Sequence, residues 1–220
     1  MDYQPLTYIY RPAEQPGART LLLLHGTGGD ERDLLPIAGQ LGSDFNVLSV
    51  RGNVLENGMP RFFRRLGMGV FDEDDVRFRT HELVEFLRKI APQKEFDLQN
   101  LVALGYSNGA NLIGSVLLLY PELLAGAALL RPMQPLSEVP AAPMANNDDQ
   151  KAPRNPVPVF FAPGQRDPTV DPAATERYAS LLTNRGFALT RYDAPAGHNL
   201  TPQDVAQAAA WYQQHFWHSA

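Results

Sequence analysis

Short unbroken apolar runs alternate along this chain with longer stretches in which apolar residues recur at helical spacing. Chains built from β–α–β units read this way. Thr20–Leu24 is apolar after its first residue, as a strand covered on both faces requires. Residues 45–50, 101–106, 125–130 and 157–162 repeat that pattern. Residues 6–11 predict an edge strand, and residues 187–192 alternate as a strand does. Between them, residues 30–41 carry Leu34, Leu35, Ile37, Ala38 and Leu41 at helical spacing behind an acidic first turn. Residues 72–90 set Val76, Leu83, Val84, Leu87 and Ile90 in one stripe among charges. Residues 110–119, 173–184 (stopped by Gly186) and 203–217 complete the predicted helices.

Two stretches break the rhythm. Residues 51–70 are rich in Gly, Asn and Arg and hold the pair Phe62-Phe63. Residues 131–158 are dense in proline and contain Asn146-Asn147-Asp148-Asp149, which predicts a long irregular excursion. No internal repeat is present. The even spacing of strands and helices predicts one α/β domain over residues 1–220: a mostly parallel central sheet with helices on both faces.

Composition narrows the function classes. With 44% hydrophobic and 20% charged residues in 220, the chain is neither disordered nor fibrous. Its 19 Lys+Arg against 24 Asp+Glu give a formal charge of −5 and no basic stripe, which disfavours a nucleic-acid partner. Zero cysteines exclude a disulfide scaffold, a thiolate zinc site and a cysteine nucleophile. Residues 110–130 contain one charge, Glu122, but Tyr120-Pro121-Glu122 interrupts them. They read as buried helix, turn and strand rather than a membrane span. The polar N-terminus Met1-Asp2-Tyr3-Gln4-Pro5 does not read as a signal peptide, so a cytoplasmic protein is expected.

Gly105-Tyr106-Ser107-Asn108-Gly109 follows a predicted buried strand and precedes a predicted helix. This G-x-S-x-G in a strand–turn–helix setting is the pattern of a nucleophile elbow. Ser107 is forced into strained backbone angles there, and glycines on either side remove side chains that would collide. A serine nucleophile needs a base, and the base an orienting acid. Of the five histidines, His81 lies on a charged helix, and His215 and His218 lie at the end of the last one. His25 ends a buried strand. His198, in the loop between the last strand and the last helix, is the candidate base. In this architecture the acid comes between serine and histidine in chain order. Asp167, directly after the strand at 157–162, is the candidate; Asp171 is instead suited to cap the helix opened by Pro172, and Asp193 to a turn. An oxyanion hole would take one donor from the Asn108 N–H and one from Thr27 N–H in His25-Gly26-Thr27-Gly28-Gly29. That loop lacks the glycine spacing of a nucleotide site.

Leu24-His25-Gly26-Thr27-Gly28-Gly29-Asp30-Glu31, the elbow, Arg166-Asp167-Pro168 and Gly197-His198 together resemble the phospholipase/carboxylesterase family of α/β-hydrolases. Residues 51–63, RGNVLENGMPRFF, are similar to its bacterial hydroquinone-resistance (MhqD-type) carboxylesterase branch. The resemblance covers nearly the whole chain, departing at residues 140–156, which are longer than the family usually carries. It implies the α/β-hydrolase fold, a Ser107–His198–Asp167 triad with Thr27 and Asn108 as oxyanion donors, and a pocket bordered by residues 51–70. Met59, Phe62, Phe63 and Met133 are candidates to line an acyl or aryl pocket, the alternative being plain core. Arg51 either anchors a polar group or pairs with Glu56 or Asp72.

The expected function is hydrolysis of small carboxylic esters by a serine carboxylesterase through an acyl-enzyme, with no cofactor and no metal. A thioesterase or lysophospholipase for longer acyl chains is the runner-up, and a non-catalytic receptor on the same fold is the reading from another class. A dienelactone hydrolase is disfavoured, since those use cysteine. The expected partner is a small-molecule ester; a homodimer is compatible with the sequence.

Overall fold

The computed structural model of the chain describes residues 3–67, 69–139 and 156–216. In chain order its elements are β1 (Tyr8–Arg11), β2 (Thr20–Leu24), α1 (Leu35–Leu41), β3 (Asn46–Val50), β4 (Val54–Glu56) and β5 (Met59–Arg61). There follow β6 (Arg65–Gly67), β7 (Val70–Phe71), α2 (Glu73–Gln93), β8 (Leu101–Tyr106), α3 (Asn108–Leu119) and β9 (Gly126–Leu130). The last are β10 (Pro158–Ala162), α4 (Pro172–Asn184), β11 (Ala188–Arg191) and α5 (Pro202–Phe216).

The unbroken apolar runs become strands because both of their faces are covered. On β2, Leu21 and Leu23 join one apolar cluster with Leu41, Trp211 and Tyr212. Leu22 and Leu24 join the other, with Leu87, Ile113 and Tyr178. Helices α1 and α5 therefore close one face of the sheet, and α2, α3 and α4 the other. The sheet has seven strands in the order β1-β3-β2-β8-β9-β10-β11. Only β1 is antiparallel, pairing with β3 at the edge. This is the α/β-hydrolase arrangement. From β2 the chain steps outward to β3 and then returns to the other side of β2 as β8. The reversal leaves a crevice beyond the carboxyl ends of β2 and β8, where open α/β sheets place their ligands.

The apolar stretch at 110–130 divides into α3, a turn and β9 as its pattern implies, and no helix among the described residues is long and apolar enough to cross a membrane. The boundaries of two helices differ from expectation for local reasons. Helix α1 starts at Leu35 rather than residue 30, because the Asp30 carboxylate accepts the Arg32 N–H at 2.7 Å and holds a turn. Helix α2 is capped by Asp72, which accepts the Asp75 N–H at 3.2 Å, and runs on through Pro92 in its last turn. Residues 51–70, which break the apolar rhythm, contain two antiparallel hairpins, β4–β5 and β6–β7, the first turned by Asn57 (φ 51°) and Gly58 (φ 80°). Asn-Gly is a strong hairpin signal, since both residues tolerate positive φ. Of the proline-dense excursion, residues 131–139 pass over α2: Ser137 N–H donates to Glu73 Oε1 at 2.8 Å, and Leu136 is fully buried. Residues 140–155, with the Asn/Asp run, lie outside the described residues, as do His218 and the end of the last predicted helix at Trp217.

Candidate active site

The strand β8 delivers Ser107 to a turn so tight that its backbone sits at φ 51°, ψ −112°. A non-glycine residue there carries on the order of 1–3 kcal/mol of strain. Ser107 N–H donates to Leu130 O at 2.8 Å, and Asn111 N–H returns to Ser107 O at 2.9 Å, so the neighbouring strand and α3 hold the strain in place. The two flanking glycines answer different crowding. A Cβ on Gly105 would lie 2.6 Å from Ala110 N, across the elbow itself. A Cβ on Gly109 would lie 2.1 Å from Leu24 O, because α3 starts against the end of β2.

Three loops at the carboxyl edge converge on this serine. His198, after β11, sets Nε2 at 2.9 Å from Ser107 Oγ and Nδ1 at 2.6 Å from Asp167 Oδ2. Asp167, after β10, is buried, while the His198 side chain is one-third exposed. A carboxylate only accepts, so Nδ1 carries the proton toward Asp167 and Nε2 is left to accept from the serine hydroxyl. Burial pushes the Asp167 pKa up, but hydrogen bonds from Thr169 and His198 outweigh it and hold the carboxyl below its ordinary value. Thr169 gives two of them to Oδ1, from Oγ1 at 2.6 Å and N–H at 2.9 Å. Tyr106 Oη donates to His198 O at 3.1 Å.

The backbone N–H groups of Thr27 and Asn108 donate to no other group among the described residues and border the same pocket. The Thr27 loop is pinned from outside. Gly28 N–H donates to Pro60 O at 2.9 Å, and Arg61 Nη1 to Thr27 Oγ1 at 2.6 Å. His25 ties the end of β2 to the chain after β3: its Nδ1 donates to Gly26 O at 2.6 Å, and its Nε2 accepts the Gly52 N–H at 3.1 Å. Both nitrogens are thereby used, and burial pushes its pKa down.

No established protein-family profile matches the chain. The Bacillus subtilis (strain 168) protein "Putative hydrolase MhqD" is 42% identical over 194 residues, 88% of this chain and 92% of that protein. The chain belongs to the MhqD hydrolase family. Among solved structures, the Bacillus cereus carboxylesterase is 44% identical, with a TM-score of 0.87 over 96% of this chain and 95% of that one. A Mesorhizobium loti carboxylesterase is 30% identical, with a TM-score of 0.83 over 94% and 93%. This MhqD relative is therefore a hydrolase of the carboxylesterase type on an α/β-hydrolase fold.

The pocket over Ser107 has a volume of about 230 Å³. Besides the triad region, Arg61, Arg65, Phe71, Asn111, Met133 and Thr169 form its wall. Of the substrate-contact candidates, Met133 is among these; four others are corrected. Phe62 and Phe63 are 4% and 0% exposed in the core, since Phe62 N–H is drawn inward to Asn108 Oδ1 at 2.7 Å. Met59 is 40% exposed, its side chain lying beside Gly28, and is not among the residues that line the pocket. Arg51 pairs with none of its candidate partners but with Glu31, at 2.5 Å and 2.9 Å, so its charge is taken up away from the site. Asp171 caps α4 by accepting the Ala173 N–H at 3.0 Å, and Asp193 pairs with Arg191 at 2.8 Å. His81 meets Tyr120 Oη at 2.5 Å, and His215 packs on Trp211. Sequence reasoning passed over Arg61, Arg65 and Thr169. Only Thr169 leaves a local signal: an Asp two residues before a Thr favours a turn closed onto its own carboxylate.

Proposed function

We propose that this hydrolase is a serine carboxylesterase for small carboxylic esters, with Ser107 as nucleophile, His198 as general base and acid, and Asp167 as the orienting carboxylate. The observation that carries the reading is the unbroken hydrogen-bonded line Ser107 Oγ–His198–Asp167, at 2.9 Å and 2.6 Å. His198 Nε2 takes the hydroxyl proton as Oγ attacks the ester carbonyl carbon. The carbonyl electron pair moves onto oxygen, where Thr27 and Asn108 N–H groups would receive it at the start of α3. Asp167 stabilises the imidazolium without itself becoming protonated. When the tetrahedral centre collapses, the C–O bond to the alcohol breaks, and Nε2–H protonates the departing oxygen. Water then repeats the sequence on the acyl-enzyme and releases the acid.

A volume of about 230 Å³ lies below the roughly 300–1,000 Å³ of pockets for drug-sized ligands, which favours short acyl and aryl groups over long chains. The test is Ser107→Ala against a short 4-nitrophenyl ester, together with labelling of the native protein by a fluorophosphonate. The expected result is a fall in kcat of about 10³-fold or more, with label on Ser107 alone. Retained activity in a folded Ser107→Ala protein refutes the assignment.

A further inference from the structure

The Asp167 side chain is 1% exposed, and its two oxygens are held from different sides. Oδ2 meets His198 Nδ1 at 2.6 Å. Among the described residues Oδ1 accepts from Thr169 alone, from the hydroxyl at 2.6 Å and the backbone N–H at 2.9 Å. Pro168 stands between the two residues and restricts the backbone there, so the turn that brings Thr169 back onto the carboxylate is set locally. At 2.6 Å the hydroxyl bond has the length expected of an O–H donating to an ionised carboxylate. A hydroxyl has one proton to give. With it given to Oδ1, the Thr169 oxygen can only accept from His198 Nδ1, which lies 3.4 Å away. Burial works against the Asp167 charge, and the Thr169 hydroxyl leads the bonds that work for it. Thr169 itself is exposed and borders the pocket over Ser107. A side chain at the surface therefore completes the bonding of a buried carboxylate.

We propose that Thr169 is a positioning residue of the reaction: its hydroxyl fixes the Asp167 carboxylate so that Oδ2 stays on the Nδ1 proton of His198 while Nε2 takes and returns a proton at Ser107. The proposal rests on the triad reading and adds to it the group that keeps the acid in place. Without the hydroxyl, Oδ1 keeps one bond instead of two, and the carboxylate is freer to rotate about its Cβ–Cγ bond. The imidazole is then held less well in the tautomer that leaves Nε2 open to the serine. Thr169 acts through Asp167 rather than on the substrate, so its loss falls on kcat and leaves KM unchanged.

The test uses Thr169→Val, which keeps the branched shape and the backbone N–H and sets a methyl group where the hydroxyl stands. Thr169→Ser is the variant that restores the hydroxyl, and Thr169→Val is also made in an Asp167→Asn background. Each protein is assayed on 4-nitrophenyl acetate below its melting temperature. In Thr169→Val kcat should fall about tenfold or more, the lower end for one hydrogen bond to a charged group, with KM unchanged. Thr169→Ser should recover most of that loss. In the Asp167→Asn background, where the charge is already gone, adding Thr169→Val should change kcat by less than about threefold. A Thr169→Val enzyme within about twofold of wild type in kcat overturns the proposal while leaving the triad reading intact. A change in KM alone places Thr169 against the substrate and overturns it as well. So does a loss that serine does not recover, or one of the same size in the Asp167→Asn background, since either means that the hydroxyl acts elsewhere. If Asp167→Asn itself keeps wild-type activity, or Ser107 takes no fluorophosphonate label, the triad reading fails and the proposal falls with it.

Discussion

Replacing Asp204 by Asn should strip this hydrolase of a large part of its stability while changing almost nothing in shape. Arg131 and Asp204 face each other with both side chains wholly buried. The guanidinium makes five hydrogen bonds: two to Asp204, at 2.9 Å and 2.8 Å, and three to the carbonyl oxygens of Ala162, Gly197 and Asn199. Two of those carbonyls flank His198. Asp204 in turn accepts from Thr201 N–H and Oγ1, both at 2.7 Å, where α5 begins. Asparagine keeps an acceptor but leaves the buried cation uncompensated, a loss of about 3–5 kcal/mol. At roughly 2–4 °C per kcal/mol for a chain of this size, Tm should fall by about 6–20 °C. Calorimetry at neutral pH reads the shift. The double variant Arg131→Met/Asp204→Leu removes both charges and should be more stable than Asp204→Asn. Its kcat should still be low, because the Gly197 and Asn199 carbonyls have lost the donor that fixes the His198 loop. An Asp204→Asn protein within about 1 kcal/mol of wild type, or a double variant less stable than the single, refutes the reasoning.

The same pair sets an acid limit. Burial raises the Asp204 pKa, but the bonds from Arg131 and Thr201 outweigh it, so the folded value lies below the ordinary one. Its stabilisation is complete above about pH 4 and is lost as pH falls through the folded pKa; denaturation midpoints from pH 5 to 2 should drop less steeply in Asp204→Asn. His25 acts at higher pH. Its folded pKa is lowered, so its contribution is full above about pH 6.5 and declines below it; His25→Asn should flatten the difference in Tm between pH 7 and 5. Asp167→Asn should cut kcat by about 10⁴ at neutral pH by favouring the wrong imidazole tautomer, with little change in circular dichroism. Gly109→Ala should destabilise by about 1–3 kcal/mol or more, since its Cβ would lie 2.1 Å from Leu24 O; a thermal melt indistinguishable from wild type would show that α3 can retreat from β2.

Much of the fold was legible because its rules are local. A strand buried on both faces reads as an unbroken apolar run, and β2, β8, β9 and β10 did. The elbow was equally legible, since a turn that forces φ 51° on Ser107 admits little but glycine beside it. The hairpin at Asn57-Gly58 was legible too and was passed over, because the arginines and glycines around it masked strands of three residues. The roles of Phe62, Phe63 and Arg51 were not. Nothing along the chain tells a pocket phenylalanine from a core one, or says that Arg51 meets Glu31 rather than Glu56.

What the sequence determined by itself, then, is where the strands and helices run and which residues suit a nucleophile, a base and an acid, for these follow from near-neighbour sterics and periodicity. Which of them meet was decided by the tertiary structure. The order of strands brings β8, β10 and β11 to one edge, so that residues 107, 167 and 198 come within hydrogen-bonding reach. It also turns two arginines of the hairpin region into the wall of the pocket and sinks Arg131 beneath the histidine loop. Charge and contact across such distances depend on how the sheet is ordered, and no short stretch of sequence carries that order.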